Sequence, residues 1–108
     1  MQRNPMIGVE TDLLWTDTVP TIVGWSSLYV IPDINAYKFL VISCISSDDG
    51  SYSYMVSTSD FKNMSATYAF ILYGTSNSNR IMVCYSSDTQ FGVYNTHGSC
   101  TITIRGIK

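Results

Sequence analysis

At 108 residues with 45% apolar side chains, the chain has the size of one domain, able to bury about two thirds of its unfolded surface without metal or disulfide staples. Its net charge is −2, and its six Lys and Arg residues are scattered from Arg3 to Lys108. That excludes the clustered basic footprint of a nucleic-acid-binding protein and a polybasic membrane patch.

Fifteen Ser, eleven Thr and eight Tyr against a single Glu point to β structure, because exposed helices are normally built from Glu, Lys, Ala and Gln. In chain order, residues 1–10 read as an N-terminal arm ahead of one domain over 11–108, with Met6 to Val9 able to add a short strand. No continuous apolar core of a signal peptide is expected there, since Glu10 and Asp12 interrupt it. Leu13-Leu14-Trp15 is the first firm strand signal, with Trp15 as a core anchor. Ile22-Val23 and Leu28 to Ile31 then flank Gly24-Trp25-Ser26-Ser27. The strongest strand is Tyr37 to Ser46. It is apolar on both faces in its middle, which predicts cover on both sides. Its longest apolar run, Phe39 to Ile42, is too short to span a bilayer.

Ser47-Asp48-Asp49-Gly50 is a hairpin turn, because glycine accepts positive φ at little cost. Ser51 to Ser57 follows with Tyr52, Tyr54 and Val56 on one face. Ser59 to Ser65 leaves room for one helical turn. Tyr68 to Tyr73 and Arg80 to Ser86 are strands separated by a loop over Gly74 to Asn79. Phe91 to Tyr94 is a short strand, Asn95 to Ser99 a polar loop, and Cys100 to Arg105 the last strand. About eight short strands with turn signals every ten or so residues predict an antiparallel, jelly-roll-like β-sandwich. Its core is expected to hold Trp15, Phe39, Val41, Phe70, Leu72, Val83, Ile102 and Ile104.

Catalytic chemistry has little to stand on. Cys44, Cys84 and Cys100 form no CxxC pair, and their odd count leaves at least one free. They read as buried apolar thiols, with a Cys84–Cys100 or Cys44–Cys84 bridge left open. His97 is the only histidine and reads as a loop residue beside Gly98. No serine sits in a nucleophile-elbow context. Asp48-Asp49 are turn formers rather than a glycosidase pair. Phosphate-loop, dinucleotide, calcium and zinc patterns are missing, so no cofactor, no metal and no enzyme activity are expected. The remaining functional signal is aromatic. Trp25, Tyr52, Tyr54 and Tyr94 are the candidate ligand-binding residues, since exposed Tyr and Trp offer flat amphipathic surfaces to sugars or proteins. Trp25, between Gly24 and two serines, is the one expected to be most exposed.

Several local patterns combine into a resemblance. Leu14-Trp15-Thr16 is followed by Val19-Pro20-Thr21. A turn at Asp33 leads into Tyr37-Lys38-Phe39-Leu40-Val41-Ile42. Arg80-Ile81-Met82-Val83 and Phe91-Gly92 come later, and the chain closes on Gly106-Ile107-Lys108. In this order the chain resembles, from Leu14 to Lys108, small β-sandwich domains of tail and other virion structural proteins of phages and prophages, mostly from gram-positive hosts. It departs from them over Ser47 to Asn79, and little precedes the domain where the relatives often carry a fibre-like or coiled segment. The resemblance implies a non-enzymatic virion component made in the host cytoplasm. It implies a homo-oligomer, such as a trimer, that meets other virion proteins and contacts cell-surface glycans, without nucleic-acid binding or membrane insertion. A free-standing carbohydrate-binding module is the alternative.

Overall fold

Segments in which β-branched and aromatic residues alternate with Ser and Thr form eight strands in the computed structural model, which describes residues 10–22, 24–46, 50–76 and 78–108. They are β1 (Asp12–Val19), β2 (Tyr29–Val30), β3 (Phe39–Ser46), β4 (Gly50–Ser57), β5 (Phe70–Ser76), β6 (Asn79–Ser87), β7 (Gln90–Asn95) and β8 (Cys100–Ile107). A 3-10 turn at Ile34–Ala36 and one helical turn, α1 (Thr58–Phe61), are the helical pieces. Ser57 caps α1 by accepting the Asp60 N–H at 3.1 Å, which satisfies one of the donors a helix start leaves open.

The strands make two antiparallel sheets, ordered β1-β8-β3-β4 and β2-β7-β6-β5. This is the expected β-sandwich. The nesting of β1 beside β8 and of β2 beside β7 is its jelly-roll-like part, while β3–β4 and β5–β6–β7 are neighbours in sequence. Leu40, Ile42, Cys44, Ile102 and Ile104 of one sheet face Leu72, Ile81, Val83, Phe91 and Val93 of the other, and Ile31, Ile34 and Phe61 plug the sides. Each such side chain, fully buried, stabilises by about 1.5–3 kcal/mol on an area basis. A bulge between Leu13 and Trp15 lets Leu14 and Trp15 both turn inward from an edge strand. Trp15 then packs on Tyr29 and Phe91, with both ring centroids 4.9 Å away, and so joins the two sheets as an anchor.

Three expectations need correction, on the core residues of β3, on its outer cover and on the Gly74–Asn79 loop. Phe39 and Val41 are not core residues. Leu40, Ile42 and Cys44 hold the inner positions of β3, and Phe39 is 38% exposed. The outer side of β3 is also uncovered, with Ile45 55% exposed. Ile22 belongs to no strand, although its N–H bonds to the Asn95 carbonyl at 2.8 Å. The Gly74–Asn79 loop is shorter than expected, because β5 runs to Ser76 and β6 starts at Asn79. Of the alternatives left open for the cysteines, the structure shows three free, buried thiols. The turn residues 47–49, and the arm up to residue 9, lie outside the described residues.

Candidate functional site

The four aromatic residues singled out from sequence fall into two separate pairs. Trp25 and Tyr94 lie together on the outer side of the β2-β7-β6-β5 sheet. They bridge through their backbones, and their ring centroids are 5.5 Å apart with planes at 63°. Gly92 lies beneath them. A Cβ there would stand 3.4 Å from Cys84 Sγ, 3.6 Å from the Trp25 ring and 3.8 Å from Leu28, ordinary contact distances, so the 24–28 segment packs on this stretch of β7 without requiring a glycine. Trp25 is half-buried rather than the most exposed of the four. Ser26 anchors the segment, donating its N–H to the Val93 carbonyl at 2.7 Å and accepting the Val93 N–H on Oγ at 3.0 Å.

Tyr52 and Tyr54 sit on the inner side of β4, where the edges of the two sheets meet. Tyr52 stacks obliquely on Tyr73 at 5.5 Å, and Tyr54 meets Phe70 edge-on at 5.8 Å. Tyr54 keeps 39% of its surface exposed. The Trp25 and Tyr94 rings, tilted by 63°, form no flat platform, and the sheet separates this pair from Tyr52 and Tyr54.

The broad free surface is the outer face of the β1-β8-β3-β4 sheet. Strand register places Thr16, Thr103, Ser43 and Ser53 in one row across four strands. Thr16 and Thr103 hydroxyls are 3.0 Å apart, and those of Ser43 and Ser53 are 2.9 Å apart. Thr18 and Thr101 repeat the contact at 3.2 Å in the next row. Val41, Ile45 and Met55 fill positions between and beyond these hydroxyls, and Arg105 is the one charged residue on this face of the strands.

Two polar clusters lie elsewhere. His97 Nε2 is 3.3 Å from Ser46 Oγ, and its Nδ1 donates to Asn79 Oδ1. The order of groups is that of a hydroxyl, a base and an orienting amide. Ser46, however, is only 7% exposed and the Tyr73 ring lies 4.4 Å from the imidazole, so the arrangement pins the 96–99 connection to β3 and β6. At the other end, Asp88 accepts from Tyr85 at 2.6 Å and from Asn35 at 2.7 Å, and pairs with Lys62 at 3.4 Å. Those hydrogen bonds, the Tyr85 one foremost, hold its carboxyl below the usual range. Lys62 also borders a cleft of about 340 Å³ with Asn35, Tyr37, Lys38, Thr58 and Ser59. The Thr58 hydroxyl is spent on the Tyr37 carbonyl at 2.7 Å.

Sequence reading passed over Asn95, Gly106 and the hydroxyl rows. Asn95 had a local signal, an amide two residues before a backbone N–H that it caps at His97 (3.1 Å). The rows had none, since they exist only once register is fixed. Among the described residues no three His, Cys, Asp or Glu side chains group to hold a metal ion, and no helix is long and apolar enough to cross a membrane. Comparisons with protein-family models, curated proteins and solved structures find no match to this chain.

Proposed function

We propose that the chain is a non-enzymatic structural protein of a phage virion, a part of a tail, fibre or surface appendage that assembles with copies of itself and with other virion proteins and contacts the host cell surface. The observation that carries this reading is the outer face of the β1-β8-β3-β4 sheet. It offers rows of hydroxyls and exposed aliphatic groups with a single charge, Arg105. Such a face meets neighbouring protein or glycan without like-charge repulsion, and scarcity of charge is what marks the centre of assembly contacts. The ordered motifs from Leu14 to Lys108 support the same reading by resemblance. The alternative, a free-standing carbohydrate-binding module, draws on the Trp25–Tyr94 pair. Planes tilted by 63° around a half-buried Trp25 suit packing better than stacking on a sugar ring.

The test is mass spectrometry of particles purified after prophage induction in the source strain. The chain is expected among the particle proteins in constant ratio to the other structural components. Particles that carry those components and lack this chain would overturn the reading.

A further inference from the structure

A two-sheet sandwich has four edge strands, here β1 and β4 in one sheet and β2 and β5 in the other. An edge exposes unpaired N–H and C=O groups and invites another strand unless something blocks it. Three of the four are blocked. β1 carries Asp12 and Asp17 and a bulge, and Asp17 Oδ1 occupies the Thr18 N–H at 2.8 Å. β2 is two residues long. β5 shifts register twice, between Ile71 and Tyr73 and between Tyr73 and Ser76, around Gly74 at φ +85°.

β4 differs from all of them. It pairs with β3 over eight consecutive residues, Gly50 to Ser57, with no register shift. Its sequence, GSYSYMVS, contains no charge and no proline. Among the described residues, no backbone hydrogen bond from a loop reaches its free side. Met55 is 62% and Tyr54 39% exposed along it.

We infer that β4 is a self-association edge, and that its partner is β4 of a second copy of this chain, paired antiparallel about a two-fold axis. The inference rests on the self-assembling part of the proposed function and names the surface that would do it. The axis passes through Ser53. The hydroxyl row Thr16–Thr103–Ser43–Ser53 then runs straight into Ser53 of the second copy, Ser51 stands opposite Met55, and Tyr52 opposite Tyr54. An uncharged strand meets itself without repulsion, which a strand bearing Asp or Lys cannot do. A single open edge among the described strands also sets the stoichiometry. The isologous contact consumes both edges and closes at two copies, giving one eight-stranded sheet with no further uncapped strand.

The experiment is light scattering after size exclusion on the full chain, across a concentration series, with the double substitution Ser51→Lys/Met55→Lys beside it. Both positions are exposed on the outer face, so the introduced lysines leave the core untouched while facing one another across the axis. Circular dichroism and the melting temperature report whether the variant is folded. A parallel variant, Ser53→Cys, tests register through oxidative cross-linking, the three native thiols being buried. The expected result is a mass twice the 12.0 kDa of the chain, a shift to the monomer mass in the folded double variant, and a cross-linked dimer with Ser53→Cys. An oligomer that persists in the folded double variant, without cross-linking, would overturn the β4 edge while leaving self-assembly intact. A wild-type chain that stays monomeric at several hundred micromolar would overturn both. Should the double variant fail to fold, the cross-linking result decides, with cross-linking supporting the edge and its absence overturning it.

Discussion

Asn95 is fully buried, yet both ends of its amide are engaged. Nδ2 donates to the Gly98 carbonyl at 2.7 Å and to the Val19 carbonyl at 3.1 Å. Oδ1 accepts the N–H of His97 at 3.1 Å and of Gly98 at 3.3 Å. One side chain thus shapes the β7–β8 connection and ties it to the end of β1, on the opposite sheet. Removing it leaves the buried Val19 carbonyl and the part-buried groups of His97 and Gly98 without their partner, and each polar group stranded in a buried place costs about 1–3 kcal/mol. Asn95→Ala should therefore lower unfolding free energy by about 3 kcal/mol, read from the urea midpoint at unchanged slope. A loss below about 1 kcal/mol would mean that the connection rearranges to satisfy itself. Asn95 shows how a residue can be legible in kind and hidden in importance. Its capping role follows from Asn-x-x-Gly in a loop, but its burial depends on β1 arriving from 76 residues away.

At the scale of elements, strand existence was legible and strand facing was not always. β8 and β4 alternate apolar with polar residues, so Ile102, Ile104 and Val56 could be assigned inward from sequence alone. β3 has Phe39, Val41 and Ile45 at one parity and Leu40, Ile42 and Cys44 at the other, and a one-residue slip exchanges the two faces. Its neighbours decide, because Ile42 and Cys44 stand opposite Ile104 and Ile102. β2 is two residues long, and before it Ile22 and Ser26 bond to β7 at separate points instead of continuing a ladder.

The aromatic candidates were legible as a set but not as a site. Period-2 alternation put Tyr52 and Tyr54 together, whereas pairing Trp25 with Tyr94 depends on the 24–28 segment crossing β7. On the other sheet, Gly106 is a glycine that a close approach does require. A Cβ there would fall 2.5 Å from two atoms of the Tyr37 ring, whose hydroxyl donates to Asp12 at 2.8 Å. Gly106→Ala should cost about 1–3 kcal/mol by overpacking. The same substitution made together with Tyr37→Ala should cost far less, a coupling that a double-mutant cycle of melting curves measures. Additive effects would show that the backbone of β8, not the Tyr37 ring, objects to the added methyl.

For the whole molecule, ionisable groups on opposite sides of the pH scale bound the range in which the sandwich is stable. Desolvation raises the thiols of Cys44, Cys84 and Cys100, the last to about 11, with a further contribution from Cys44. Hydrogen bonds to Asp12 and Asp88 raise the phenols of Tyr37 and Tyr85. For a group whose folded pKa is raised, the unfolded chain loses its proton first. The stability it contributes is whole below the unfolded value, 9.0 for the thiol of Cys100, and is lost as pH climbs towards 11. Asp88 acts in the opposite sense. Its folded value lies below 3.8, so its contribution is present above that value and disappears as pH falls through the folded one. The urea midpoint should accordingly be flat from about pH 5 to 8, the range where paired carboxylates stay charged and buried thiols stay neutral, and fall on both sides. Asp88→Asn should flatten the acid limb and leave the alkaline one in place. A thiol reagent at neutral pH gives an independent reading of the alkaline limb. No thiol should react in the folded chain and all three should react in urea, because all three are buried. Fast labelling of Cys44 or Cys100 in the folded chain, or a midpoint unchanged up to pH 11, would mean that water reaches the space between the sheets, whereas labelling of Cys84 would mean that the 24–28 segment lifts from the outer face of β7; in either case the buried cysteines could not set the upper limit.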